Sequence, residues 1–304
     1  MCPKMKPSFA VFIISLLATS ISVGQDKLSV EDVLHRHMDS IGQAATLAAA
    51  KSRVIEGTAI YRVLVGGTGE ITGKAVIVSD GNKMQMLLKV SAQAYNGEQF
   101  FKDGEKTNVA GTYQDKSRSE FGTFLRSEDV PLREGLLGGI LTTDWPLLTL
   151  DAHKAKLRYL GLKKVDGSDL HAVSYQPKKN AGLDITLYFE PETFRHVRTI
   201  YTASQSVGLG QSGQADVLAP PGEVARSTQS GADVNSARQQ LTRYRIEERF
   251  SDFKTVDGLA LPSHYDLRFQ EELGNGFTKT VEWDVTTTRV LNNVSVDARN
   301  FQIR

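Results

Sequence analysis

Alternating side chains run through Arg53-Val-Ile-Glu-Gly-Thr-Ala-Ile-Tyr-Arg-Val-Leu-Val65. Every second residue from Ile55 to Val65 falls on one side of an extended chain, and most of these residues are apolar. Because the side chains of a β-strand point alternately to opposite faces, a period of two predicts a strand with one buried face. The same alternation returns in 84–90, 183–189, 246–250, 265–269 and 277–285.

Turn signals separate these segments. Asp80-Gly81, Asn96-Gly97 and Asp103-Gly104 supply residues that accept the positive φ angles of tight hairpins. Strands joined by tight hairpins are antiparallel neighbours. The sequence therefore predicts a large antiparallel sheet built mainly from sequential strands.

A helix is predicted ahead of the first strand. Ser29 can cap this helix, Asp32 follows three residues later, and apolar residues keep helical spacing as far as Gly42. Residues 44–50 are rich in alanine, which is compatible with a second short helix and also with a loop.

The spacing changes between Phe121 and Leu148. This segment is rich in Phe and Leu at mixed helical spacings and is interrupted by Pro131 and Pro146, so we expect short helices joined by loops. Such an apolar segment must cover something apolar. It is either a lid on a filled core or a lid over a cavity for an acyl chain or another apolar ligand. The side chains expected to line a ligand site are Phe121, Phe124, Leu136, Leu137, Ile140 and Trp145.

Residues 204–237 interrupt the strands with a stretch rich in Gly, Ser, Gln, Ala and Pro. Strands of the same character lie on both sides, so we interpret the stretch as an insertion within one domain, residues 25–304, rather than as a linker. Gly208-Leu-Gly-Gln-Ser-Gly213 matches the dinucleotide-binding pattern, but no apolar helix follows to hold a pyrophosphate.

The first 24 residues have the features of an export signal. Lys4 and Lys6 precede an apolar run from Phe9 to Val23 that ends in small residues. This run is shorter than the roughly 20 residues that a membrane-spanning helix needs. We expect cleavage before Gln25 and a soluble mature chain whose contact with a membrane, if any, is peripheral.

Charge and cysteine content narrow the possible partners. The chain has 36 Lys and Arg residues against 35 Asp and Glu residues, a balance that gives no reason to expect nucleic acid as a partner. The single cysteine, Cys2, lies in the predicted signal. We therefore expect no disulfide and no thiolate metal site in the mature chain.

No motif indicates catalysis. The Gly-x-Ser-x-Gly pattern of a nucleophile elbow does not occur. His35 and His37 are two apart on the predicted helix, so they point in different directions and are expected at the surface. Acidic residues are expected in turns or on polar strand faces, with Glu247 and Glu248 on opposite faces. The sequence predicts a non-enzymatic protein with no cofactor and no metal, and a hydrolase assembled from distant residues is the least favoured alternative.

Several short sequence segments carry a family resemblance that covers most of the chain after residue 24. They are the opening helix with the strand at Arg53-Val-Ile-Glu-Gly-Thr58, Leu187-Tyr-Phe-Glu-Pro-Glu-Thr193, Phe250-Ser-Asp-Phe-Lys-Thr-Val-Asp-Gly258 with Leu261-Pro262, and Asn292-Asn-Val-Ser-Val-Asp-Ala-Arg-Asn-Phe301. In these segments and in the order of its predicted helices and strands, the chain resembles the LolA/LolB-like superfamily of periplasmic outer-membrane lipoprotein-sorting proteins.

This resemblance implies an α+β fold: a single strongly curved antiparallel sheet, an incomplete β-barrel, with helices covering its concave face. It also implies a periplasmic location and a cavity that accepts the acyl chain of a lipoprotein or another hydrophobic ligand. The alternative is a sensor or interaction module of the same fold that binds an envelope protein and has no carrier activity.

Overall fold

The computed structural model describes residues 28–91, 95–112, 119–179, 182–207 and 240–302. The predicted export signal and the glycine pattern at 208–213 lie outside the described residues, as does the predicted insertion after Val207.

Two helices and five strands make up the first part of the chain. The helices are α1 (Val30–Ile41) and α2 (Ala44–Ala49), which shows that the alanine-rich stretch is helical. The strands are β1 (Ser52–Val65), β2 (Gly69–Asp80), β3 (Lys83–Val90), β4 (Gly97–Asp103) and β5 (Lys106–Gly111).

Short helices and seven further strands follow. The helical segment contains α3 (Glu120–Ser127), α4 (Val130–Arg133), the 3₁₀ turns Gly139–Leu141 and Pro146–Leu148, and α5 (Leu150–His153). The strands are β6 (Lys156–Val165), β7 (Ser168–Gln176), β8 (Leu183–Phe189), β9 (His196–Val207), β10 (Gln240–Val256), β11 (Leu259–Glu272) and β12 (Thr278–Asn292). A last 3₁₀ turn spans Ala298–Phe301.

All of these strands belong to one antiparallel sheet of 12 strands, which confirms the predicted sheet type. Its order is β5-β4-β3-β2-β1-β12-β11-β10-β9-β8-β7-β6. Pairing of β1 with β12 joins two runs of sequential hairpins, and β5 and β6 remain as the two edges. The sheet is therefore not closed into a barrel.

The helical segment connects these two edges. It leaves after β5 and returns at β6, and on the way it packs against strands from both halves of the sheet. Pro131 lies in the first turn of α4 and Pro146 in the first turn of a 3₁₀ turn, where the missing amide hydrogen costs no helical hydrogen bond. The predicted short helices are thus confirmed.

Directly opposite residues of an antiparallel pair lie on the same face of the sheet. One such row crosses eight strands on the core side, and most of its members are apolar or aromatic. It consists of Tyr61, Trp283, Leu267, Glu248, Thr199, Leu187, Val173 and Tyr159.

Four details of the prediction are wrong. His37 is buried, because it continues the helical stripe of Val33 and Ile41. Glu248 lies in the core rather than on a polar face. Phe277 precedes β12 and is 51 % exposed. Gly97 does not form a tight turn, since β3 ends at Val90 and Gly97 is the first residue of β4. A side chain at Gly97 would collide with the backbone oxygen of Leu88.

Candidate functional site

The six side chains predicted to line a ligand site lie together in the core. The Phe121 ring centroid is 5.5 Å from that of Phe100 and 5.4 Å from that of Phe269, and Phe124 lies 4.8 Å from Tyr244. Trp145, Leu136, Leu137 and Ile140 are no more than 1 % exposed. In this conformation the six residues pack against the sheet, and their role in ligand binding stays a prediction.

The backbone of this lid, residues 121–153, is fastened to the sheet by polar contacts. The Gly138 amide donates to Glu248 Oε1 at 2.6 Å, and the Arg53 guanidinium donates to the carbonyl oxygen of Ile140 at 2.5 Å. Gly139 has a φ of 50°, and a side chain there would meet the Phe250 ring at 2.9 Å. A glycine is therefore required where the lid approaches the sheet.

Glu248 is a carboxyl group in the middle of this core. Tyr265 donates its hydroxyl to Glu248 Oε1 at 2.8 Å, and Tyr201 donates to Oε2 at 2.6 Å. Burial raises the pKa of Glu248 to about 7, although these hydrogen bonds act to lower it. Glu248 lies between Ile246 and Phe250 at strand spacing, which is an apolar-face position, so the sequence held a signal for this residue that the expectation of a polar face missed.

His37 holds α1 against the lid in a defined protonation state. Its Nδ1 lies 3.1 Å from the carbonyl oxygen of Phe194, which can only accept, and its Nε2 lies 3.3 Å from Trp145 Nε1, which can only donate. These partners require a neutral ring with its hydrogen on Nδ1. Burial lowers the pKa of His37 to about 4, consistent with that form.

A buried ion pair lies at the edge of the lid. Lys102 Nζ is 2.5 Å from Asp144 Oδ2, and the two side chains are 2 % and 3 % exposed. Burial raises the pKa of Asp144, and the Lys102 ammonium acts to lower it. Nothing local in the sequence indicated this pair, because the two residues lie on different elements.

Beside this ion pair the surface opens into a cleft of about 1080 Å³. The cleft lies between α1 and α2 on one side, the β2–β3 and β4–β5 turns on another, and the lid on the third. Its apolar part is formed by Met38, Ala44, Leu47, Ala48, Ala50, Leu148 and Ala152.

Charged side chains surround this apolar part. They are Lys51, Lys102, Glu105, Arg133, Glu134, Asp144, His153, Lys154, Lys178 and Lys179. Glu134 accepts a hydrogen bond from the Tyr175 hydroxyl at 3.0 Å and lies 3.6 Å from His153 Nδ1. None of the six predicted site residues lines the cleft, but their neighbours Asp144 and Leu148 do, so the lid forms one wall of it.

The other face of the sheet carries a network of ion pairs. His264 Nε2 lies 3.3 Å from Asp266 Oδ1 and 3.5 Å from Asp284 Oδ1, a grouping with the residue types of a metal site. The second oxygen of Asp284 accepts from Arg62 at 2.7 Å, and Arg62 also contacts Glu70. Arg62 thus engages one oxygen of Asp284, while the other oxygen faces His264.

Comparison with solved structures finds proteins with a similar course of the chain. A DUF1329 family protein from Desulfovibrio piger is 14 % identical, with a TM-score of 0.45 over 90 % of this chain and 97 % of that one. A LolA superfamily protein from Nitrosomonas europaea is 11 % identical, with a TM-score of 0.44 over 91 % and 98 %. A putative outer membrane lipoprotein-sorting protein domain from Vibrio parahaemolyticus is 9 % identical, with a TM-score of 0.42 over 89 % and 96 %.

One of these structures is a member of the superfamily that the sequence resembles. At such identities and TM-scores the similarity concerns the fold and says nothing about a ligand. No protein-family model and no curated protein matches the chain. Among the described residues, no helix is long and apolar enough to cross a membrane.

Proposed function

We propose that this protein is a non-enzymatic, exported periplasmic protein that binds the acyl chain of a lipid or lipoprotein in the cleft beside the lid. The observation that carries the proposal is the cleft itself, which has an apolar floor and a volume just above the usual range for ligand sites, about 300–1,000 Å³. In this proposal the helices cover the concave face of the sheet, and the cleft lies outside the packed core that holds the six predicted site residues.

The apolar floor supports this proposal because it is left exposed by the fold. Ala44 and Ala48 of α2 are exposed, and Leu47 is half-buried. An apolar ligand that covers these methyl and isobutyl groups gains about 25 cal/mol of binding free energy for each Å² of apolar surface removed from water. An alkyl chain lying along α2 and Leu148 would cover them.

Two matched variants of α2 test the location of the site. Ala48 lines the cleft, whereas Ala45 is also exposed but lines a smaller depression formed with Asp257 and Leu259. We expect Ala48→Gln to weaken binding of an uncharged fluorescent alkyl probe by about fivefold, because the amide replaces one to two methylene contacts of about 0.8 kcal/mol each.

Ala45→Gln is expected to leave the affinity for the probe unchanged. Gln is a good helix former, so both variants should keep the melting temperature of the parent within a few degrees. Fluorescence titration below the critical micelle concentration of the probe gives the two dissociation constants. Equal affinities for both variants would remove the cleft as the ligand site.

One observation favours a second function, binding of an envelope protein. Leu64, Val65 and Phe277 are 41 %, 46 % and 51 % exposed, and Val65 pairs with Thr280 near the start of β12, so the three lie at one tip of the sheet. This tip is at the far end of β1 from the cleft, about 40 Å away at about 3.3 Å per residue. Under this alternative, Phe277→Ser abolishes complex formation with the partner and leaves probe binding intact.

A further inference from the structure

The charge of the cleft differs from that of the whole chain. Its lining contains six Lys and Arg residues, named above, against three Asp and Glu residues. The chain as a whole carries 36 basic and 35 acidic side chains. The lining of the cleft is therefore more positive than the chain as a whole.

The three acidic side chains of the lining are already engaged. Asp144 is paired with Lys102, Glu134 with Tyr175 and His153, and Glu105 lies 4.0 Å from Lys179. Even if all three are ionised, the lining keeps an excess of three positive charges.

Three lysines in the lining have no such partner. Lys51 precedes β1, Lys154 follows α5 with a φ of 51°, and Lys178 follows β7. All three are exposed, and no carboxylate of the described residues lies within ion-pair distance of their ammonium groups. Because these three come from different elements, their charges converge on the cleft only in the folded protein.

We propose that the cleft binds an acyl lipid with an anionic head group, a carboxylate or a phosphate, which is held by Lys51, Lys154 and Lys178 while the acyl chain lies on the apolar floor. This inference rests on the proposed function, since it names the class of ligand for the same site. Lysines are suited to this task because each ammonium is a mobile point charge that can follow a head group of varied shape.

Unpaired positive charge around a concave surface also raises the local concentration of an anionic ligand. Contacts at exposed lysines are individually weak, up to about 1 kcal/mol for each pair. Three together would distinguish an anionic from an uncharged head by about tenfold or more, and added salt would reduce this difference.

The test uses three ligands with the same alkyl chain: dodecanoate, dodecyl maltoside and dodecyltrimethylammonium. Each competes with the uncharged fluorescent alkyl probe for the full mature protein below its critical micelle concentration. We expect dodecanoate to bind about tenfold more tightly than dodecyl maltoside, and dodecyltrimethylammonium to bind most weakly. At about 1 M salt, where the Debye length is about 3 Å, the three affinities should converge.

Reversing the charge of two cleft lysines tests whether the preference for dodecanoate originates in the cleft. Lys154→Glu/Lys178→Glu should abolish the preference for dodecanoate and leave the affinity for dodecyl maltoside within about twofold. The matched control is Lys163→Glu/Lys164→Glu, which makes the same change in net charge on exposed lysines of β6 away from the cleft. This control should keep the preference.

The outcomes separate the two proposals. Equal binding of dodecanoate and dodecyl maltoside, or equal loss of preference in both double variants, overturns the anionic head group and leaves binding of an acyl chain intact. If none of the three ligands displaces the probe from the native protein, or the probe does not bind, the proposed function fails together with this inference.

Discussion

Replacing Lys102 by Met is expected to lower the free energy of unfolding by about 3–5 kcal/mol, because it leaves the Asp144 carboxylate buried without its counter-charge. The double variant Lys102→Met/Asp144→Leu should recover most of this loss, since an apolar pair of similar volume avoids the cost of removing two charges from water. Urea unfolding followed by tryptophan fluorescence measures both values.

The matched control for this prediction is Lys83→Met on the neighbouring hairpin. Lys83 Nζ lies 3.1 Å from Asp103 Oδ1, but these side chains are 40 % and 44 % exposed. Water screens an exposed pair, so its loss should cost no more than about 1 kcal/mol. Equal destabilisation by the two single substitutions would contradict this prediction, because the buried Lys102–Asp144 pair would then contribute no more to stability than an exposed pair does.

Replacing Glu248 by Gln is expected to stabilise the protein progressively as the pH rises from about 4.5 to about 7. The pKa of Glu248 is raised by burial, so the folded protein binds a proton in this window that the unfolded chain has released. The contribution of Glu248 to stability is therefore fully present below the pKa that this residue has in the unfolded chain. It is lost as the pH rises through the pKa that Glu248 has in the folded protein. Gln stays neutral, so the variant should gain up to about 3 kcal/mol relative to the parent across this window.

Comparison with the parent at each pH removes the effect of the buried histidines. The pKa of His37 is lowered to about 4 by burial, and its contribution to stability is lost as the pH falls below about 6.5, in the parent and the variant alike. Urea unfolding of the parent and Glu248→Gln at a series of pH values gives the difference directly.

Glu247→Gln provides a control of opposite sign. Glu247 faces the other side of the sheet, where burial acts to raise its pKa but Arg249 and Arg198 hold it below the usual range. Its contribution to stability is present above about 4.5 and is lost at lower pH, so Glu247→Gln should be destabilised at neutral pH and approach the parent in acid. A Glu248→Gln variant whose difference from the parent does not change with pH would contradict the titration of a buried Glu248.

Features that depend on neighbouring residues could be predicted from the sequence. The alternation from Ile55 to Val65 predicted β1, and Pro131 and Pro146 predicted short helices. The same local logic, applied fully, would have placed His37 in the core, because it lies four residues from both Val33 and Ile41. It would also have identified Glu248, which occupies an apolar position of β10.

Features that depend on distant residues required the tertiary structure. Pairing of β1 with β12 joins residues more than 200 positions apart, as Arg53 opposite Asn292 shows, and no local pattern encodes that register. The same holds for Lys102 with Asp144, for Glu248 with Gly138 and for the lysines around the cleft. The sequence by itself determined which segments are strands and helices and which of their faces are apolar, because periodicity is a property of adjacent residues. Only the packing of the lid against the open sheet decided where charges become buried and where a cleft remains, because both result from side chains that meet only after the chain has folded.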